Sequence, residues 1–241
     1  YGEKTILGVT IPAGGGISDG ETVLDILADH PSTARFISTK LARRFVSDIP
    51  PESLVDKLAA SFTATDGDVL SLLRTLFASR EFWMNRETKT KRPIDFINST
   101  VRTLGLAADR LVLRFISARL EALAQIPFGW HAPNGYADVA GYWTNASALI
   151  NRWNTTSTAV QETPAETIKT WLGDAASPNE IITKMSAASL YRQIRRADKI
   201  TILQTIFANL PAAQQLPSDK LDFYGRAVLI ALLSSRHFQL R

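Results

Sequence analysis

The sequence predicts an all-α protein: a multi-helix globular bundle with a short extended N-terminal arm and one long irregular aromatic loop. Three observations carry this. Apolar residues recur at helical spacing in segment after segment, as in Ala34, Ile37, Leu41 and Phe45. Proline, glycine and capping residues stand where such segments would start and stop. The stretch with strand-like alternation is short, running over Thr5, Ile6, Leu7, Val9 and Ile11.

The bulk numbers agree with that class. The 241 residues are 45% hydrophobic and 21% charged, ordinary for a globular chain long enough to bury a substantial core. No run approaches the roughly 18 apolar residues that a membrane span needs. Cysteine is absent, which excludes disulfides, thiolate metal sites and cysteine nucleophiles. The net charge of +4 and the pI near 9.4 favour an acidic partner only slightly, because the basic residues are spread along the chain. The chain opens at Tyr1 without an initiator Met or a visible secretory signal, and is read as a C-terminal fragment or processed product of a longer protein, whose missing N-terminal half is an expected partner.

Taken in order, residues 4–11 form one short strand or an extended arm, and Pro12-Ala13-Gly14-Gly15-Gly16 makes a flexible turn. No Lys-Ser/Thr follows the glycines, so a phosphate loop is not indicated. Ser18 or Asp19 can cap a helix from about Gly20 to Asp29. Pro31 opens the next, through Val46, at the first-turn position where its missing N–H is harmless. Helices follow at 52–62 and 69–82. After the polar link 88–92, a helix begins at Arg92-Pro93 and ends before Gly105, and another spans 110–125. Residues 126–142 hold prolines, glycines and aromatics and are irregular. Helical pattern resumes at 145–156 on Leu149, Ile150 and Trp153, then at 164–172, 178–190, 198–209 and 218–238. No strong linker appears, so residues 1–241 read as one mostly helical domain, with a soft subdivision near 155–163 as the candidate break. Ser79-Arg80-x-Phe82 and Ser235-Arg236-x-Phe238 each close an apolar helix, a short internal echo.

Several blocks together resemble a known family. They are His30-Pro31-x-Thr33-Ala34-Arg35-Phe36 leading into Lys40-Leu41-x-x-x-Phe45-Val46, Thr10-Ile11-Pro12-Ala13-Gly14-Gly15, and Asp66-Gly67-Asp68 to Ser79-x-Glu81-Phe82-Trp83. Lys91-Arg92-Pro93 to Phe96, Phe128-Gly129 to Pro133-Asn134-Gly135-Tyr136, and Ser235-x-x-Phe238 continue the series. Their order resembles the C-terminal half of the bacterial domain of unknown function 1800 family. The resemblance implies an exported, periplasmic or secreted protein, often encoded beside a second exported protein. It supplies no catalytic residues.

The candidate site residues fall into groups, each with a plain structural alternative. His30, His131 and His237 have no metal-ligand spacing, and no metal or cofactor is expected. His131 near Asp138 could form a general-base pair, or could be a loop histidine packed on Trp130. His30 is a catalytic candidate or a helix-entry residue. Trp130, Tyr136, Tyr142 and Trp143 could stack on sugar faces while Asn134 and Asn145 supply hydrogen bonds. Alternatively the loop plugs the helical core.

Arg35, Lys40, Arg43, Arg44, Lys91 and Arg92 could clamp an anion, or pair internally with Asp25, Asp29 or Asp95. Arg192, Arg195, Arg196 and Lys199 form a second basic cluster. With no base-stacking or helix-turn-helix signature, nucleic acid is not the expected partner. The leading reading is a binding or assembly role, with a glycan or anionic ligand. The alternative is a hydrolase acting on a polysaccharide or anionic ester, using His131 and Asp138.

Overall fold

The computed structural model describes residues 2–208 and 210–241. Among the described residues it holds fourteen α-helices and one two-stranded antiparallel sheet, the helical class that the sequence predicts. The chain divides into two compact units, Tyr1–Thr88 and Lys89–Arg241. The division falls at the polar link after Thr88.

In the first unit the predicted arm is a hairpin of β1 (Lys4–Ile6) and β2 (Val9–Ile11). Leu7 and Gly8 make its two-residue turn, both at positive φ (49° and 85°), the geometry that matches strand twist. Four longer helices follow: α1 (Ile17–Asp29), α2 (Pro31–Phe45), α3 (Glu52–Ala64) and α4 (Val69–Phe77). One-turn α5 is Arg80–Met84. His30 caps α2, its Nδ1 accepting from the Ser32 N–H at 3.1 Å. The core is Ala42 and Val46 from α2 and its end, Leu54, Val55 and Leu58 from α3, and Leu72 and Leu76 from α4.

The second unit contains α6 (Pro93–Thr103), α7 (Arg110–Ala122), short α8 (Ala140–Trp143), α9 (Ala146–Gln161) and α10 (Ala165–Leu172). Then come α11 (Pro178–Leu190), α12 (Arg196–Ile206), α13 (Leu221–Ser234) and one-turn α14 (Arg236–Gln239). The predicted end of α12 at Asn209 lies outside the described residues. Helix α13 is central, burying Val228, Leu229, Leu232 and Leu233 among α9, α10, α11 and α12. Gly225 permits this: a Cβ there would meet Ile168, Leu172 and Met185 at 3.2–3.3 Å. The end of the chain returns to the start of the unit, where Thr90 and Leu240 form an antiparallel bridge. Around it Lys89 N–H bonds Arg241 O (3.3 Å), Lys91 N–H bonds Gln239 O (2.9 Å) and Arg241 N–H bonds Lys89 O (2.8 Å).

Three expectations change. The helices predicted at 69–82 and 218–238 each break at a serine. Ser79 Oγ donates to Leu76 O at 2.6 Å, and Ser235 Oγ donates to Leu232 O at 2.7 Å. Both serines take extended backbone and start a new turn. The sequence echo is thus one repeated local device. Residues 155–158 do not interrupt the chain: Thr155 and Thr158 donate to the carbonyls four residues back, Asn151 and Asn154, and α9 continues through them.

Gly225→Val should overpack the contact among α10, α11 and α13, destabilising the protein by about 1–3 kcal/mol. Thermal unfolding checks this; an unchanged midpoint would contradict the close approach.

Candidate ligand site

The loop between α7 and α9 is ordered by its own aromatics. Trp130 lies 5.0 Å from Tyr136 and 5.8 Å from Tyr142, and Trp143 lies 4.7 Å from Tyr142 and 5.9 Å from Tyr136, measured between ring centroids. Each polar handle has a partner. Trp130 Nε1 donates to Asn134 Oδ1 (2.9 Å), Tyr136 OH to Ile126 O (2.9 Å) and Trp143 Nε1 to Ala137 O (2.8 Å). Trp143 is buried and anchors the cluster; Trp130 and Tyr136 are half-buried; Tyr142 is exposed. The loop thus plugs the interior through Trp143 and presents Tyr142 at the surface. Asn145 caps α9, its Oδ1 accepting from Ala148 N–H at 2.8 Å. The Nδ2 groups of Asn134 and Asn145 have no partner among the described residues.

The loop is moored at Asp138. Lys89 Nζ donates to Asp138 O at 3.0 Å and stands 3.6 Å from its carboxylate, which also lies 3.5 Å from Arg241 Nη2. His131 is exposed and makes no hydrogen bond or ion pair among the described residues. The His131–Asp138 base pair is therefore not formed; the Asp138 carboxylate faces cations instead. The histidine–carboxylate contact that does form is His237 Nε2 to Asp198 Oδ2 at 2.9 Å. It is not an open base either, because Arg195 Nε holds the same oxygen at 2.8 Å. Arg195 first, then His237, keep the Asp198 carboxyl below its ordinary pKa.

Behind the mooring is a buried cation that sequence reasoning missed. Arg152 on α9 is 1% exposed. Its Nη1 donates to Gln239 Oε1 (2.8 Å), its Nη2 to Lys91 O (2.6 Å), and its guanidinium carbon sits 4.9 Å from the centroid of Phe96. No carboxylate pairs with it among the described residues. Lys91 Nζ caps the face of Phe238 at 3.9 Å. Burial pushes the Lys91 ammonium down to about 8; Asp95 opposes the shift, and Arg152 and Arg241 add to it. Arg92 pairs with Asp95 at 3.2 Å, one of the internal pairings expected from sequence, and Arg241 joins the same carboxylate at 3.3 Å.

The first part of α9 is inverted relative to its sequence pattern, while its second part buries Ala159 and Val160 in the core. Leu149, Ile150 and Trp153, which mark it as amphipathic, are 39%, 54% and 51% exposed. Arg152, Thr155 and Thr156 face inward. Asn151 Nδ2 bonds Ala122 O at 3.2 Å, which sets this outer face beside the end of α7 and the start of the loop. There Ile126 and Phe128 are also exposed, Phe128 fully and with a positive φ of 61°.

In the first unit, Arg35 is taken by carboxylates of α3: Asp56 at 2.5 Å, and Glu52. Those partners, not Asp25 or Asp29, hold it. Lys40 lies over the Phe36 ring at 5.1 Å, and Arg43 Nε donates to Asp48 O at 3.2 Å. Arg44 also has a partner. His30 is occupied in capping α2. In the second basic cluster, Arg192 bonds His237 O at 3.3 Å and Lys199 bonds Thr183 Oγ1 at 2.8 Å.

These features define a mostly helical protein whose candidate ligand surface is aromatic and apolar. Among the described residues no group of three or more His, Asp or Glu could hold a metal ion, and no helix is long and apolar enough to cross a membrane. The chain belongs to the family described as "Protein of unknown function (DUF1800)", which it matches over residues 1–240. Neither the curated proteins nor the solved structures include a match to it.

The Lys91 shift has a signed consequence. Its pKa is about 8 when folded and 10.5 ordinarily, so between those values the unfolded chain binds more protons. Stability then rises with pH across that window and is flat for this group below it. The denaturant midpoint of the native protein minus that of Lys91→Met should increase from pH 8 to 10.5. A flat difference would contradict the burial of this ammonium.

Proposed function

We propose that this protein has a binding role, and that its ligand lies on the surface formed by the aromatic loop and the outer face of α9. The inversion in the first part of α9 carries this reading. Placing an arginine and two threonines inside while Leu149, Ile150 and Trp153 meet water runs against the hydrophobic driving force. Such local contradictions concentrate where a surface serves something other than folding. The ligand class that fits is a saccharide. Tyr142 and Trp153 offer exposed rings to stack on sugar faces, and the Nδ2 groups of Asn134 and Asn145 offer donors to hydroxyls. The aromatic cluster beneath Tyr142 holds it in place before the ligand arrives, which limits the entropy lost on binding. An exported bacterial setting, periplasmic or secreted, is supported by the family's usual export. A co-encoded exported protein is the partner that this setting favours.

Titration of intrinsic tryptophan fluorescence with soluble β-glucan and chitin oligosaccharides tests the proposal. Saturable quenching is expected, and Tyr142→Ala or Trp153→Ala should weaken it about tenfold, roughly 1.4 kcal/mol. Thermal midpoints should stay close to that of the native protein, because both side chains are exposed. Binding unaffected by both substitutions, or no binding to any of these saccharides, would overturn the proposal.

A further inference from the structure

The outward face of α2, in the first unit, is a feature that the proposed function does not use. Ser32, Phe36 and Lys40 lie one turn apart along one ridge; Arg35, Thr39 and Arg43 lie one turn apart along the next. Between the ridges runs an open groove of about 420 Å³ lined by these six residues. The core-facing side of α2 is the opposite one, marked by Ala34, Ser38 and Ala42.

The charges in the groove are not equivalent. Arg35 is held by two carboxylates, Glu52 and Asp56, which leave one excess negative charge at its end of the groove, away from Lys40 and Arg43. Lys40 and Arg43 have no carboxylate partner among the described residues: Lys40 rests on Phe36, and Arg43 uses only its Nε, on a backbone carbonyl. The Arg43 Nη groups and the Lys40 ammonium remain available as charged donors. Ser32 Oγ has no partner among the described residues either, whereas Thr39 Oγ1 donates to Arg35 O and can still accept.

We infer that this groove binds an acidic polysaccharide, a chain bearing carboxylate or sulfate groups. From Ser32 to Arg43 it extends about 16 Å at 1.5 Å per residue, too long for one inorganic anion. Lys40 and Arg43, about one turn apart, would take the negative groups, while the hydroxyls of Ser32 and Thr39 would meet sugar hydroxyls further along. A single-stranded nucleic acid fits less well, because it needs aromatic platforms for its bases. The groove has one ring, Phe36, and Lys40 covers it.

Binding to alginate oligosaccharides and heparin fragments, with dextran and a single-stranded DNA oligomer as comparisons, tests the inference on the full chain. With Tyr142→Ala in place to weaken the surface around α9, an acidic saccharide should bind, dextran should not, and DNA should bind more weakly. Lys40→Ala with Arg43→Gln should weaken the acidic saccharide at least tenfold and lower the salt dependence, by about one unit of log–log slope per cation removed. Tyr142→Ala should leave this binding unchanged, which separates the inference from the saccharide surface around α9. Because Arg43 also bonds a backbone carbonyl, Lys40→Glu, at an exposed position, serves as the second variant and should give the same loss at an unchanged thermal midpoint. No binding of either acidic saccharide, equal binding of dextran, tighter binding of DNA, or unchanged affinity in Lys40→Glu would each overturn it.

Discussion

The guanidinium of Arg152 is withdrawn from water with no carboxylate among the described residues to meet it, and much of the second unit follows from that. Burying such a cation costs free energy that hydrogen bonds to its donors offset; here the terminal nitrogens are met, while Nε has no partner among the described residues. Lys91 O and Gln239 Oε1 accept from its terminal nitrogens, and its guanidinium carbon lies over the Phe96 ring, 4.9 Å from the centroid. Lys91 and Gln239 belong to the two strand-like segments that bridge at Thr90 and Leu240. Arg152 thus ties α9 to both ends of the unit's own sequence. The residues flanking that bridge, Lys89 and Arg241, in turn hold Asp138. Asp138 sits in the middle of the aromatic loop, between Tyr136 and Tyr142. One buried charge on a helix is in this way connected to the placement of an exposed tyrosine.

The same residue explains why α9 faces the way it does. A helix has one orientation, so sending Arg152 inward sends Ile150 and Trp153 outward and leaves Leu149, three residues before it, at the edge, 39% exposed. Thr155 and Thr156 can follow Arg152 into the interior because their hydroxyls bond backbone carbonyls of α9 itself, Asn151 O and Trp153 O. The apolar residues left outside become available to a ligand, and the loop moored beside them supplies the aromatic rings.

Most of the helices could be read from the sequence because their apolar spacing and caps point the same way. Pro31 after His30, Asp68 before Val69 and Gly105 after Leu104 all mark ends that the structure uses. The failures have physical reasons. Ser79 and Ser235 look like helix interior until their hydroxyls are seen bonding the carbonyl three residues back. The Ser/Thr run at 155–158 looks like a boundary because composition cannot show that its hydroxyls are satisfied within the helix. Of the site, the aromatic loop was legible, since Trp130, Tyr136, Tyr142 and Trp143 crowd a short irregular stretch. Arg152 was not, because a charged residue between apolar ones at 149, 150 and 153 reads as the solvent side. The partners of Arg35 and Asp138 were equally hidden, being set by which helices pack together and not by spacing along the chain.

Hydrogen exchange in Arg152→Met measures the tie from Arg152 to the loop directly. Methionine keeps the bulk of the side chain and removes the donors. The amides of Lys91 and Arg241 and the indole N–H of Trp143 should lose protection together, while the amides of Leu54 and Leu58 in the first unit keep theirs. Full retention of protection at Lys91, Arg241 and Trp143 would show that the bridge and the loop hold without the buried guanidinium, and would contradict the account.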